Sequence, residues 1–163
     1  MTSTAVPAQR RGLALALLAA TQFVLILDAS IVNVALPSIG TDLAFAQEDL
    51  SWVANAYTLT FGGFLLLGGR IADLTGRRRL FMIGMGLFVA ASLIGALATT
   101  PLLLVLARAS QGIGAALISP AALSLLMTIF PAGAERNKAL GVWGAVAGAG
   151  GAAGSILGGV LTD

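Results

Sequence analysis

Apolar residues run along this chain in long stretches that are separated by short polar segments. A helix needs about 20 mostly apolar residues to cross a bilayer, and five stretches are of that order. They are predicted as membrane spans at 13–36, 52–69, 80–98, 102–129 and 139–161. The pattern therefore predicts an all-α transmembrane fold of five helices, preceded by a tail at residues 1–12.

Proline residues indicate where these helices are expected to end or bend. Proline lacks a backbone N–H, and its ring clashes with the preceding helical turn. Pro37, Pro101 and Pro131 are therefore predicted to mark helix boundaries. Pro120 falls inside the fourth span and predicts a kink there, which neighbouring membrane helices can accommodate. The connecting segments are then 37–51, 70–79, 99–101 and 130–138.

The composition agrees with a membrane protein and excludes several other classes. Hydrophobic residues make up 58% of the 163 residues and charged residues only 10%, against about a quarter charged in soluble domains. The absence of Cys and His removes thiol chemistry and the commonest metal ligand, so no metal site is expected. Basic residues lie in separate short segments, not on one face, which argues against a nucleic-acid partner.

The charges also predict how the chain is oriented. Most Lys and Arg residues lie before the first span, after the second and after the fourth, namely Arg10, Arg11, Arg70, Arg77, Arg78, Arg79, Arg136 and Lys138. The charged residues of the segment between the first two spans are all acidic, namely Asp42, Glu48 and Asp49. The positive-inside rule therefore predicts a multi-pass protein with a cytoplasmic tail at 1–12. The high Ala and Gly content is typical of a bacterial protein, so the inner (plasma) membrane is expected.

Two ionisable residues, Asp28 and Arg108, fall within predicted spans. Each costs about 2.5–3.5 kcal/mol to insert, so each needs a partner or a function. At 1.5 Å per residue both lie roughly 9–12 Å below the outer surface, where they can face each other across a shared cavity. One interpretation is a structural ion pair. The other is a proton carrier, which is favoured by nearby polar residues: Gln22, Ser30, Asn33 and Gln111.

Small residues dominate one side of the last span. Gly150, Gly154 and Gly158 recur every four residues, which places them on one face of a helix. In a bilayer such a face allows two helices to approach closely. The stripe therefore predicts a contact with another helix.

Four segments together resemble signatures of the major facilitator superfamily, and in particular of its fourteen-helix drug:proton antiporter branch. They are the first-span segment 27–37 (LDASIVNVALP), the segment 69–79 (GRIADLTGRRR), the fourth-span segment 108–116 (RASQGIGAA), and the glycines of the last span. One position departs from the antiporter motif, because Ser155 follows Gly154 where that motif usually has Pro.

The resemblance implies roles for particular residues. The proton-coupling candidates are Asp28 and Arg108. A cytoplasmic latch between two helical bundles would comprise Gly69, Asp73, Gly76 and Arg77. The fourth-helix motif comprises Arg108, Gln111 and Gly112, and the fifth-helix antiporter motif comprises Gly141, Gly150, Gly154, Gly158 and Gly159.

The resemblance further implies a transporter of two six-helix bundles, of which this chain would supply an incomplete N-terminal one. We therefore expect proton-coupled efflux of hydrophobic or cationic drugs in the full-length protein. Its energy source would be the proton gradient, without a cofactor and without enzymatic activity. Its partners would be the lipid bilayer, the substrate and the C-terminal bundle. The alternatives are a non-transporting truncated fragment and a permease for a nutrient or metabolite, and Ser155 leaves antiport and symport both open.

Overall fold

The structure, a computed structural model, describes residues 8–162, which form five α-helices. They are α1 (Ala8–Asp42), α2 (Trp52–Thr75), α3 (Arg77–Ala96), α4 (Pro101–Ile129) and α5 (Ala134–Thr162). Each helix contains or overlaps one predicted span, so the all-α prediction is confirmed. Residues 8–12 of the predicted tail belong to α1, whereas residues 1–7 of the tail lie outside the described residues.

Four helices, α1, α3, α4 and α5, are both long and apolar enough to cross a membrane. The 24-residue α2 has the length, although polar residues interrupt its apolar stretch. One of these residues contacts another helix, because the Thr60 hydroxyl donates a hydrogen bond to the Ala109 carbonyl of α4 at 2.8 Å. The protein is therefore a multi-pass membrane protein.

The boundary predicted at Pro37 is wrong, because α1 continues through this residue to Asp42. Proline removes a single N–H from the helix, and residues 38–42 still supply their own. The Thr41 hydroxyl also donates a hydrogen bond to the Ser38 carbonyl at 2.8 Å, which satisfies an acceptor near the helix end.

The helix boundaries predicted at Pro101 and Pro131 are confirmed. Pro101 occupies the first turn of α4, after a Thr100 cap whose hydroxyl accepts from the Leu103 N–H. Pro131 follows the end of α4, and Pro120 lies inside that helix.

The predicted loop at 70–79 is also wrong, since Gly76 alone separates α2 from α3. This residue has φ +98°, a backbone conformation that glycine adopts without strain. One glycine therefore suffices for the corner. Arg70 and Asp73 lie on the last turns of α2, and Arg77 begins α3.

The helices pack as two connected groups. One consists of α4 with α2 and α3 on its sides, and the other is the pair α1 and α5. Small residues bring α4 close to its neighbours: a Cβ at Gly112 would collide with the Tyr57 carbonyl of α2, and one at Gly114 would lie 2.9 Å from the Phe88 nitrogen of α3. The most buried large side chains are Ile118 and Leu126 of α4 and Val53 of α2.

The glycine stripe of α5 packs on α1, as predicted. A Cβ would lie 2.9 Å from the Phe23 carbonyl oxygen at Gly150, and 2.7 Å from the Val34 Cβ at Gly158. At Gly154 it would lie 2.6 Å from the Ser30 Cβ. All three glycines are buried. By contrast, Gly141 and Gly159 face open space and take no part in this contact within the described residues.

We predict that Gly154→Ala lowers the thermal stability of the purified protein in detergent. The added methyl group meets both Ser30 and the Leu27 carbonyl, so α1 and α5 must separate, at a cost of about 1–3 kcal/mol. Gly159→Ala is the matched control, because the same methyl group points into open space on the same helix. Equal melting temperatures for the two variants would contradict the assigned contact.

Candidate functional site

Asp28 of α1 and Arg108 of α4 form an ion pair inside the bundle. The Arg108 Nη1 lies 2.5 Å from the Asp28 Oδ2. The Arg108 side chain is only 4% exposed and that of Asp28 is 20% exposed. The prediction that these residues meet is therefore confirmed. The Asp28 carboxylate is the part of the pair that water can reach more easily.

The rest of the Arg108 guanidinium is held by α2 and by its own helix. Its Nε donates to the Val53 carbonyl at 3.2 Å, and its Nη1 also donates to the Gln111 Oε1 at 2.9 Å. The guanidinium carbon lies 4.5 Å above the centre of the Tyr57 ring, within the range of a cation–π contact. Tyr57 itself stacks on Phe61.

Gln111 connects this ion pair to a third helix. Its amide nitrogen donates to the Asp28 Oδ1 at 3.1 Å and to the Ser92 hydroxyl of α3 at 2.8 Å. Four helices, α1 to α4, therefore contribute to one polar network. A buried network is favourable only when its members have partners, and here both oxygens of the carboxylate accept a hydrogen bond.

A cavity of about 430 Å³ lies beside the network, and Asp28, Arg108 and Gln111 form its inner wall. It extends past Ile39 to Asp42, at the end of α1. The Asp28 carboxylate therefore borders a space that leads to the membrane face at which α1 ends.

A second cavity, of about 550 Å³, lies among α1, α2, α4 and α5. The Phe61 and Trp143 rings and the Gln22 side chain line it, and Arg70 and Asp73 lie at the end of α2. It therefore extends towards the opposite membrane face from the first cavity. Its mixture of aromatic rings and one amide suits a largely apolar ligand with a polar group.

The predicted latch residues occupy the corner between α2 and α3. The Asp73 carboxylate lies 3.8 Å from the Arg77 guanidinium, which also donates to the Thr128 hydroxyl of α4 at 2.5 Å. Arg77 therefore ties the corner to α4. Gly69 makes only an ordinary contact, since a Cβ there would lie 3.8 Å from Pro120.

Of the polar residues singled out near the ion pair, only Gln111 joins it. Gln22 lines the second cavity, and the Asn33 amide donates to the Ala29 carbonyl of its own helix at 2.8 Å. Ser30 donates to the Gly151 carbonyl at 2.9 Å and lies 3.1 Å from the Ser155 hydroxyl.

Ser92 and Tyr57 belong to the site, although the sequence pattern did not predict a role for either. Ser92 could have been noticed because it is the one serine within the apolar α3. No feature of the sequence pointed to Tyr57, because an aromatic residue near a helix start is also typical of the membrane interface.

The sequence of this chain matches a known protein family and is similar to several known proteins. Residues 18–163 match the family model of the Major Facilitator Superfamily. The chain is 50% identical to the puromycin resistance protein pur8 of Streptomyces alboniger over 157 residues, which is 96% of this chain and 31% of that protein.

Two further relatives are similar over most of the chain. The cephamycin export protein CmcT of Amycolatopsis lactamdurans is 50% identical over 150 residues, 92% of this chain and 31% of that protein. The multidrug resistance protein Stp of Mycobacterium tuberculosis (strain ATCC 25618 / H37Rv) is 42% identical over 141 residues, 86% of this chain and 26% of that protein. The chain thus spans a third or less of the length of these relatives.

We predict that Arg108→Lys does not replace arginine in the network. An ammonium group cannot donate to Asp28, Val53 and Gln111 from the positions of the guanidinium nitrogens. Each lost charged hydrogen bond costs about 1.5–3 kcal/mol, so the melting temperature in detergent should fall. Arg78→Lys, at an exposed arginine, is the control and should leave it unchanged. A fully stable Arg108→Lys protein would mean that only the charge matters.

Proposed function

Because the chain belongs to the major facilitator superfamily, we propose that it forms part of a transporter that exports hydrophobic or cationic drugs in exchange for protons. The observation that carries the proposal is the Asp28–Arg108 pair at the inner end of a cavity. The names of the relatives, which refer to resistance and export, support efflux. The activity would be transport and not catalysis, driven by the proton gradient and without a cofactor.

Proton coupling follows from what protonation of Asp28 would do. A neutral carboxyl group attracts the Arg108 guanidinium far less than a carboxylate does. Binding of a proton would therefore weaken the link between α1 and α4. Because α1 is packed along α5 on the glycine stripe, a shift of α1 would carry α5 with it. This gives the proton a mechanical effect on the bundle.

The cavity among α1, α2, α4 and α5 is the proposed substrate wall contributed by this chain. Its Phe61 and Trp143 rings would contact apolar parts of a drug, and Gln22 would hydrogen-bond a polar group. A C-terminal bundle of the same transporter would supply the opposite wall and would be the partner of the latch at Asp73 and Arg77.

The distribution of charge supports an orientation in the bacterial inner membrane with the N-terminus in the cytoplasm. In that orientation the Asp28 cavity extends towards the outside and the second cavity towards the cytoplasm. Protons would then enter from the side opposite to the drug, which is the arrangement that antiport requires.

A permease that imports a nutrient is the second candidate. It is favoured by one observation, namely that α5 passes through Ser155 as a continuous helix. Ser155 keeps its N–H and adds a hydroxyl that hydrogen-bonds the Gly151 carbonyl at 3.1 Å. The direction of substrate movement under an imposed pH gradient separates the two: an antiporter moves drug against the proton flow, whereas a symporter moves substrate with it.

We predict that Asp28→Asn in the complete transporter abolishes efflux driven by a pH gradient, because the amide cannot bind and release the proton. The membrane level of the protein should be unchanged, since the amide still accepts from Arg108. Asp42→Asn, at the outer end of the same cavity, is the matched control and should retain efflux. Normal ΔpH-driven efflux by the Asp28 variant in vesicles would refute the proposed role.

We further predict that Arg108→Gln shifts the pH dependence of efflux, because Asp28 then lacks the cation that faces it. The titratable groups around this carboxylate are Arg108, Tyr57 and, along the cavity, Asp42. Efflux rates measured across a pH series should therefore give a displaced profile. An unchanged profile at a lower maximal rate would indicate that the ion pair is only structural.

A further inference from the structure

A third cavity, of about 270 Å³, lies where α1 and α5 begin, away from the Asp28 network. Its charged lining residues are Arg11, Glu135 and Lys138, and its apolar lining includes Leu15, Phe130 and Val142. Charged groups therefore meet apolar walls at the point where two membrane helices leave the bilayer. This is the depth of lipid headgroups.

Arg11 is the most buried of the three charged residues. Its Nη1 lies 3.0 Å from the Glu135 Oε2, and its side chain is 23% exposed. Its Nε is buried and has no hydrogen-bond acceptor among the described residues. The guanidinium is thus held next to the cavity with part of its hydrogen-bonding capacity unused.

Lys138 adds a second positive charge to the same cavity. It lies one turn after Glu135 on α5, yet within residues 8–162 it forms no ion pair or hydrogen bond. The single carboxylate of the cavity belongs to Glu135, whose side chain is 62% exposed. Two cations therefore face one acid, and the cavity retains an unmatched positive charge.

We propose that this cavity binds a phosphate group, carried by an acidic phospholipid. Arg11 and Lys138 would contact the phosphate, which is the anion that guanidinium and ammonium groups bind in basic pockets between membrane helices. The apolar side of the cavity, with Leu15 and the 38% exposed Val142, would contact the start of an acyl chain. This apolar wall favours a lipid over a free phosphate ion. The site is independent of the transport activity proposed above.

The test compares lipids by the thermal stability of the purified protein in neutral detergent. Phosphatidylglycerol should raise the melting temperature more than phosphatidylcholine, and soluble glycerol phosphate should raise it little. Lys138→Gln, at an exposed side chain, should weaken binding and so raise the half-saturating concentration of phosphatidylglycerol at least threefold. Arg10→Gln removes an equal charge from the exposed neighbouring position and should change it less than twofold.

Glu135→Gln separates lipid binding from a structural role of the ion pair. Removal of the acid frees Arg11 and raises the charge of the cavity, so phosphatidylglycerol should bind at least threefold more tightly. If Arg11 and Glu135 only stabilise the fold, this variant should melt lower and show no gain in lipid affinity. Equal effects of the two lipids, or equal effects of Lys138→Gln and Arg10→Gln, would overturn the proposal. A full shift with glycerol phosphate alone would overturn the assignment to a lipid.

Discussion

The burial of one guanidinium group constrains the arrangement of four helices. Arg108 cannot lie among apolar helices unless its donors and its charge are matched, because an unpaired buried charge is strongly destabilising. The match comes from the carboxylate of α1, a carbonyl and a ring face of α2, and an amide that reaches α3. Each of these helices must present one particular side to α4. This requirement sets how each of the helices α1, α2 and α3 is rotated about its own axis.

Two kinds of contact hold α1 in place, and they differ in physical nature. Towards α4 it makes a charged, hydrogen-bonded contact through Asp28. Towards α5 it makes a close contact across Gly150, Gly154 and Gly158, where the absence of side chains brings the backbones together. The first contact depends on the ionisation of a carboxyl group. The second depends mainly on close packing, to which the Ser30 hydrogen bond with the Gly151 carbonyl and the Arg11–Glu135 ion pair add polar links. A helix held in this way can change one attachment and keep the other.

The sequence was sufficient to predict the features that repeat or that can be measured along one helix. Apolar stretches gave the five helices, a rise of 1.5 Å per residue brought Asp28 and Arg108 to one depth, and four-residue spacing placed the glycine stripe on one face. Features that depend on a partner helix were not predictable. The recruitment of Ser92 depends on Gln111 of α4, which no pattern within α3 reveals. Pro37 and Gly76 were mispredicted for local reasons, because α1 continues past its proline and a single glycine suffices for the corner.

The corner between α2 and α3 contains no spare length, and this restricts how the sequence can vary there. Because Gly76 is the whole connection, this residue fixes the rotation of α3 about its own axis. One inserted helical residue would turn α3 by about 100° relative to α4. Ser92 would then face away from Gln111, and Gly84 would no longer be opposite Gly114. Insertions and deletions in this segment therefore disturb the centre of the bundle, although the corner itself lies at the membrane surface.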